Sequence, residues 1–362
     1  MTENDNILRL SAEMAYAEEL EALRKVDNSP KPTNWSLSPS AVVTYLLGGQ
    51  LSNGTVIEPK YFGNKQVIEI AVATLATDRA LLLIGVPGTA KTWVSEHLAA
   101  AISGDSSLLV QGTAGLDENL LRYGWNYARL LAEGPSEAAL VPSPIMKAMQ
   151  AGKIARVEEL TRIPSDVQDT LITLLSEKVL PIPELNTSVQ ALRGFNIIAT
   201  ANTRDKGVNE LSSALRRRFN TVLLGLPKTL EEEVSIVANR VKKLGKSLEL
   251  QDVKTPIEEI RRLVTIFREL RNGMTEDGQN KLKSPSGTLS TAEVISVINN
   301  GMAMAAYFGD GLVKPNDLAA GLTGTIIQTP TQDRQVWLEY LETVLRLRKD
   351  WTTWYEACKA LV

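Results

Sequence analysis

The chain has 362 residues, 44% hydrophobic and 22% charged, with a formal net charge of −3 and a pI near 5.6. That is enough chain for two domains with sizeable cores, and the mildly acidic balance excludes bulk electrostatic attraction to nucleic acid or to an anionic membrane. A single cysteine, Cys358, excludes an internal disulfide, and a single histidine, His97, leaves no Cys/His zinc cluster.

The start, Met1-Thr2-Glu3-Asn4-Asp5-Asn6, has neither a basic stretch nor a long apolar one, which argues against a signal peptide. No run approaches about 18 uninterrupted apolar residues, so no membrane span is expected and the cytoplasm is the expected compartment. Residues 7–27 read as one helix, with Leu10, Met14, Ala17, Leu20 and Leu23 near one face. Asn28–Asn34, with two prolines, reads as a linker. A short helix is predicted over Pro39–Leu47, opening at Ser38 with Pro39 at its first position and ending at Gly48-Gly49. Residues 1–55 thus form a helical N-terminal arm, which could pack on its own core or on a neighbouring subunit.

From about residue 60 strands alternate with helices. Apolar runs end at Ile84, Val110, Val157 and Thr200, and Val222-Leu223-Leu224 follows. This order predicts an α/β domain over 56–227, with a parallel sheet whose ligands bind at the carboxyl ends of its strands. Beyond about residue 228 the strands vanish. Helices are predicted over Leu230–Leu244, Pro256–Asn272, Thr291–Phe308, Lys314–Thr323 and Thr331–Ala360, an all-helical domain over 228–362.

The run Gly85-Val86-Pro87-Gly88-Thr89-Ala90-Lys91-Thr92 follows the apolar stretch Ala80–Ile84 and opens a helix that begins with Trp93. Glycines let a backbone wrap phosphates with its N–H groups turned inward. Lys91 would meet the outer phosphates and Thr92 would offer its hydroxyl to Mg²⁺, while the helix N-terminus adds attraction for anions. Ala90 stands where this pattern has glycine and is expected to take helical backbone there. His97, on the same helix, lacks an evident catalytic partner.

Three further elements complete a nucleotide site. Lys153-Ile154-Ala155-Arg156-Val157-Glu158-Glu159 is an apolar strand ending in two acids. Glu158 would hold Mg²⁺, directly or through water, and Glu159 would polarise an attacking water. Arg156 falls in a strand that should be buried and therefore needs a partner: a phosphate, a carboxylate or a subunit boundary. Phe195–Asn202 is a strand whose tip, Asn202, can orient a water near a γ-phosphate, or can be an ordinary strand-to-turn asparagine. Leu215-Arg216-Arg217-Arg218-Phe219 reads as a solvated helix end, a small nucleic-acid patch, or an arginine finger reaching a neighbour's γ-phosphate.

These four elements, in this order, resemble the AAA+ superfamily and specifically its MoxR branch, over about residues 60–310. The resemblance implies ATP and Mg²⁺ as ligands, bound at the interfaces of a homo-oligomer that is usually a hexameric ring. It implies chaperone-like remodelling of a partner protein, often together with a von Willebrand factor A domain protein; membrane and nucleic acid are not expected partners. By position, Phe62 and Gly63 of Tyr61-Phe62-Gly63 contact adenine. Gly85, Val86, Pro87, Gly88, Thr89, Ala90, Lys91, Thr92 and Trp93 belong to the phosphate-binding loop, and Thr92 and Glu158 to the metal. Glu159 is the catalytic glutamate, Asn202 is sensor 1, and Arg218, with Arg217 second, is the finger.

Two departures temper the expected activity. Glu158 replaces the usual aspartate and reaches one methylene further, although Mg²⁺ demands near-ideal geometry. Thr291, after Gly287-Thr288-Leu289-Ser290, stands where the family carries the sensor 2 arginine. ATP binding with slow hydrolysis follows. A nucleotide-gated scaffold, ring or open helical filament, and a GTP-using DNA-processing motor remain the alternatives. The insertions Gln111–Leu130, with Tyr123, Trp125 and Tyr127, and Val179–Leu192 either face a substrate or pack their aromatics into the core.

Overall fold

The computed structural model describes residues 7–203 and 209–362 and divides into two compact units. One, residues 10–86 and 90–225, is α/β; the other is helical and comprises 226–362 with 7–9 and 87–89.

The α/β unit is built on five parallel strands: β1 (Ala80–Gly85), β2 (Leu109–Gln111), β3 (Ile154–Glu158), β4 (Asn196–Asn202) and β5 (Phe219–Leu223). Their spatial order is β5-β1-β4-β3-β2. Parallel neighbours buried on both faces must be apolar on both, and the strands comply by alternation. Leu81, Leu83, Ile154 and Ile198 enter one core, while Ala80, Leu82, Ala155, Val157, Ile197 and Ala199 enter the other. The first core is covered by the helices Pro39–Leu47, Lys65–Leu75 and Lys91–Ser103, and the second by Pro144–Ala151 and Ser165–Glu177. Register matters most at the carboxyl ends, where Gly85 of β1 pairs with Asn202 of β4 and Gln111 of β2 with Glu158 of β3. The two acids, the sensor-like asparagine and the start of the glycine-rich loop therefore share one edge.

The N-terminal arm packs on this unit's own core, with Leu20, Leu23, Leu37, Val42, Tyr45 and Leu46 in the cluster that holds Val94 and Leu98. Ser38 caps the Pro39–Leu47 helix by accepting from Ala41 N at 3.2 Å, with Pro39 at the first turn, as its sequence predicts. The single helix expected over 7–27 is instead two, Ala12–Ala15 and Ala17–Val26, broken at Tyr16. At the break the Tyr16 ring meets His97 edge-on at 5.1 Å and lies under the Lys60 ammonium at 4.4 Å. That tertiary contact, invisible to helical periodicity, goes with the interruption. Residues 1–6 of the arm lie outside the described residues.

In the helical unit the predicted segments form, at Leu230–Ser247, Ile257–Asn272, Thr291–Phe308 and Pro315–Ile326. Two begin with reciprocal capping boxes, Thr229 with Glu232 and Ser290 with Glu293. The stretch predicted as one helix over 331–360 divides into Pro330–Thr343, a short 3₁₀ turn at Leu345–Leu347 and Thr352–Lys359. The turn buries Leu345 completely, and Asp350 takes a left-handed conformation at φ 65°. Among the described residues no helix is long and apolar enough to cross a membrane.

Candidate functional site

The glycine-rich loop joins β1 to the Lys91–Ser103 helix. Gly88 has φ 80°, a conformation that glycine adopts without penalty. Ala90 has φ 60° and ψ 24°, left-handed rather than the helical backbone expected from its sequence. The glycine that this pattern ordinarily carries there is thus a conformational requirement, and alanine meets it under strain. The Lys91 ammonium, almost wholly buried, donates to the carbonyls of Gly85 at 3.1 Å and Val86 at 2.9 Å, so it curls back over the start of the loop.

Glu158 is the most densely bonded group of the edge. Its Oε2 accepts from the hydroxyls of Thr92 at 2.9 Å and Thr200 at 2.6 Å; its Oε1 accepts from Ser95 Oγ at 2.6 Å and Arg156 Nη2 at 2.9 Å. The arrangement follows from two periodicities. Ile154, Arg156 and Glu158 point to one face of β3, and Thr92 and Ser95, three apart, share one face of the helix packed on it. Of the partners open to Arg156, the structure supplies a carboxylate, plus Ser95 Oγ at 2.8 Å and the carbonyls of Ser106 at 3.0 Å and Thr92 at 3.3 Å.

Glu159 is held differently. Its backbone is left-handed, at φ 55°, and its N–H donates to Thr200 Oγ1 at 3.1 Å. Its carboxylate accepts from Asn202 Nδ2 at 3.0 and 3.3 Å and lies 3.8 Å from Arg162 Nε. The side chain is 26% exposed, against 1% for Glu158. Two adjacent glutamates thus occupy distinct settings, one locked among four donors and one presented at the rim. Gly112 closes the floor: its N–H donates to Glu158 O at 2.7 Å, and a Cβ there would stand 2.3 Å from Glu159 O.

The donor set fits a hydrated Mg²⁺. Thr92 has its proton directed at Glu158, which turns its oxygen lone pairs away from that carboxylate. Among the described residues no three His, Cys, Asp or Glu side chains gather to hold a metal alone. Mg²⁺ does not need such a cage, because it keeps waters and binds through one or two protein groups plus substrate phosphates.

The remaining expected residues are placed as follows. Phe62 is half-buried and Gly63 exposed, just before the Lys65–Leu75 helix capped by Asn64. Trp93 Nε1 donates to Lys60 O at 2.8 Å and so ties that segment to the loop helix. His97 packs at a tilt against Trp93, with ring centroids 4.2 Å apart, and meets the Tyr45 hydroxyl at 2.9 Å through Nδ1, a packing role away from the acids. Arg217 is exposed; Arg218 is half-buried, with Nε on Ser176 Oγ at 2.9 Å and Nη1 on Ala214 O at 2.9 Å. In the helical unit the Thr291 hydroxyl donates to the buried Glu233 at 2.7 Å, which also binds Arg268 and Arg271.

Within the Val179–Leu192 insertion Val179–Ile182 and Thr187–Gln190 form an antiparallel hairpin, whereas Tyr123–Trp125 of the Gln111–Leu130 insertion pairs antiparallel with Leu140–Pro142, beyond its end and across the Tyr127–Glu133 helix. Tyr123 is buried, packs edge-on against Trp125 at 6.0 Å and donates to Glu184 at 2.7 Å. Burial, reinforced by that carboxylate, pushes its hydroxyl up to about 12. Tyr127 is 70% exposed, so the aromatics divide between packing and solvent. Sequence reasoning missed Ser95, Thr200 and Gly112. The first two are hydroxyls at helix and strand spacings from Thr92 and Asn202, a weak but available signal; Gly112 had none.

Residues 80–219 match the family described as AAA domain (dynein-related subfamily), and residues 231–360 match the YehL-like AAA+ ATPase C-terminal domain. Over 361 residues the chain is 39% identical to the uncharacterized protein YehL of Escherichia coli (strain K12), covering 98% of each chain. The chain belongs to the YehL-like AAA+ ATPase family. The second family match carries this YehL-like chain through its last helices, past the limit of about 310 set by the motifs alone. An uncharacterized protein of Staphylococcus aureus (strain USA300) is 29% identical over 165 residues, 44% of this chain and 61% of that one. Among solved structures, NtrX from Brucella abortus in complex with ADP aligns with a TM-score of 0.50 at 14% identity. The alignment covers 76% of this chain and 58% of that one, and it supports the α/β fold alone.

Proposed function

We propose that this AAA+ protein binds Mg²⁺-ATP at the interfaces of a homo-oligomer, hydrolyses it slowly, and remodels a partner protein in the manner of the MoxR branch. The observation that carries this reading is the common edge at which Thr92 meets Glu158 and Asn202 meets Glu159, with Lys91 held on the Gly85 and Val86 carbonyls beside them. Lys91 and the loop amides would balance the phosphate charge. Thr92, its hydroxyl donating to Glu158, would present its oxygen lone pairs to Mg²⁺, which when bound neutralises charge developing on the phosphates. Glu159, the more exposed of the two acids, would take the proton of the attacking water, with Asn202 fixing its direction. The cytoplasm is the expected site of action, and a von Willebrand factor A domain protein the expected partner.

A second reading is a nucleotide-gated ring or helical filament with little turnover. It draws on Arg218, whose guanidinium is engaged within its own chain, and on Thr291, whose hydroxyl is spent on Glu233. Phosphate release by the full-length protein, alone and with the partner, decides between them against a Lys91→Ala control. Turnover that vanishes in the control supports remodelling. Turnover equal to the control in both settings rejects it, and particle imaging with a slowly hydrolysed ATP analogue then shows whether assembly alone responds.

A further inference from the structure

We propose that Arg156 is a positioning residue for the metal: a buried counter-charge that shares Glu158 with the cation and thereby sets how tightly the nucleotide site holds Mg²⁺. The proposal rests on the Mg²⁺-ATP reading above. Arg156 and Glu158 are two residues apart on β3, on one face, with side chains only 5% and 1% exposed. The guanidinium spends every nitrogen locally: Nε on Ser95 Oγ, Nη1 on Ser106 O, and Nη2 on Thr92 O and Glu158 Oε1. The carboxylate is correspondingly divided. Oε1 belongs to Arg156 and Ser95, and Oε2 to Thr92 and Thr200. One oxygen therefore answers a permanent cation and the other faces the hydroxyl that would meet the metal.

This division explains the glutamate. An aspartate on the same backbone would withdraw the carboxylate by about one carbon–carbon bond, roughly 1.5 Å. The bonds to Ser95 and Arg156, at 2.6 and 2.9 Å, would not survive such a retreat without rearrangement. Glu158, Arg156 and Ser95 thus form a matched set, and the extra methylene is the length that the set requires. The electrostatic consequence has a definite sign. A fixed positive charge beside the metal's carboxylate repels a divalent cation, and it does so more strongly where water is excluded. The site is built to hold Mg²⁺ more weakly than its acid alone would.

The test uses the full-length protein loaded with a fluorescent ATP analogue in metal-free buffer, followed by titration with Mg²⁺. Arg156→Gln retains hydrogen-bonding atoms and removes the charge. It is expected to tighten Mg²⁺ by about tenfold while the metal-free affinity for the analogue stays near that of the wild type. Arg156→Lys keeps the charge and is expected to stay close to wild type, a contrast that a merely structural role would not produce. Should Arg156→Gln fail to fold, Arg156→Met, which likewise removes the charge and leaves no amide to satisfy in the buried site, takes its place, with the same tightening of about tenfold expected. Mg²⁺ affinity unchanged or weakened in the folded neutral variant overturns the proposal; so does Arg156→Lys behaving like the neutral variant. Wild-type protein that binds no analogue at all overturns the nucleotide reading itself, and is distinguishable because it appears before any metal is added.

Discussion

Replacing Ala90 by glycine should stabilise the α/β unit. Ala90 sits at φ 60° and ψ 24°, at the head of the Lys91–Ser103 helix. An L-residue there brings its Cβ against the following carbonyl, at a cost of roughly 1–2 kcal/mol that glycine escapes. Glycine returns part of the gain, roughly 0.5–1 kcal/mol, because its unfolded chain is freer. The net gain for Ala90→Gly is therefore about 0.5–1 kcal/mol, or about 1–4 °C in the midpoint of a unit this size. Ala90→Val should move the other way by about 1 kcal/mol or more, since a branched side chain tolerates positive φ least. Thermal unfolding of nucleotide-free protein, with hydrogen exchange in the Lys91–Ser103 helix to mark the relevant transition, measures both. An Ala90→Gly midpoint at or below wild type, with Ala90→Val tolerated, would refute the argument, because strain at φ 60° leaves no room for that order.

Other substitutions probe the acids and the helical unit. Glu159→Gln keeps the side chain's size beside Asn202 and removes the carboxylate proposed as the base; nucleotide should still bind while turnover falls by about a hundredfold or more, as single-turnover assays would record. Gly112→Ala would force a methyl to 2.3 Å from Glu159 O and 2.8 Å from Glu158 O, so a loss of roughly 1–3 kcal/mol and weakened Mg²⁺-nucleotide binding are expected from denaturant titration and calorimetry. In the helical unit, burial raises the Glu233 carboxyl, but Arg271, Thr291 and Arg268 outweigh it and hold it below its ordinary 4.5. A carboxyl lowered by folding adds stability that is complete above its unfolded value and is lost as pH falls through its folded one. The unit should therefore weaken progressively below about pH 4.5, and Glu233→Gln should flatten that dependence. The same change should cost roughly 3–5 kcal/mol near pH 7 by leaving Arg271 without its carboxylate, while Arg268 keeps Glu276. Acid titrations of wild type and variant, read by circular dichroism, would show parallel curves if the cluster were inert.

What could be read in advance divides by distance along the chain. Short-range chemistry was legible: Ser38 and Pro39 announce a helix start, and the glycine-rich run between an apolar strand and a helix places the phosphate loop. The same holds for the acids closing β3 and the asparagine closing β4, because a parallel sheet must bring its carboxyl ends to one edge. Breaks imposed by tertiary contact were not legible. Neither Tyr16 nor Val344 carries a glycine or proline signal, and in each case the helix yields where an aromatic contact or a buried leucine wins. The handedness of Ala90 was misjudged for a related reason: the loop imposes a backbone that the residue itself disfavours.

Arg156 shows how the two kinds of information combine. Its burial could be inferred from the strand around it, and burial alone demanded a partner. Which partner depended on a helix some sixty residues earlier, where the three-residue spacing of Thr92 and Ser95 meets the two-residue spacing of Arg156 and Glu158. Each spacing is ordinary in isolation. Packed face to face they convert a departure from the usual acidic pair into a closed network, in which the longer carboxylate and the unexpected cation account for each other.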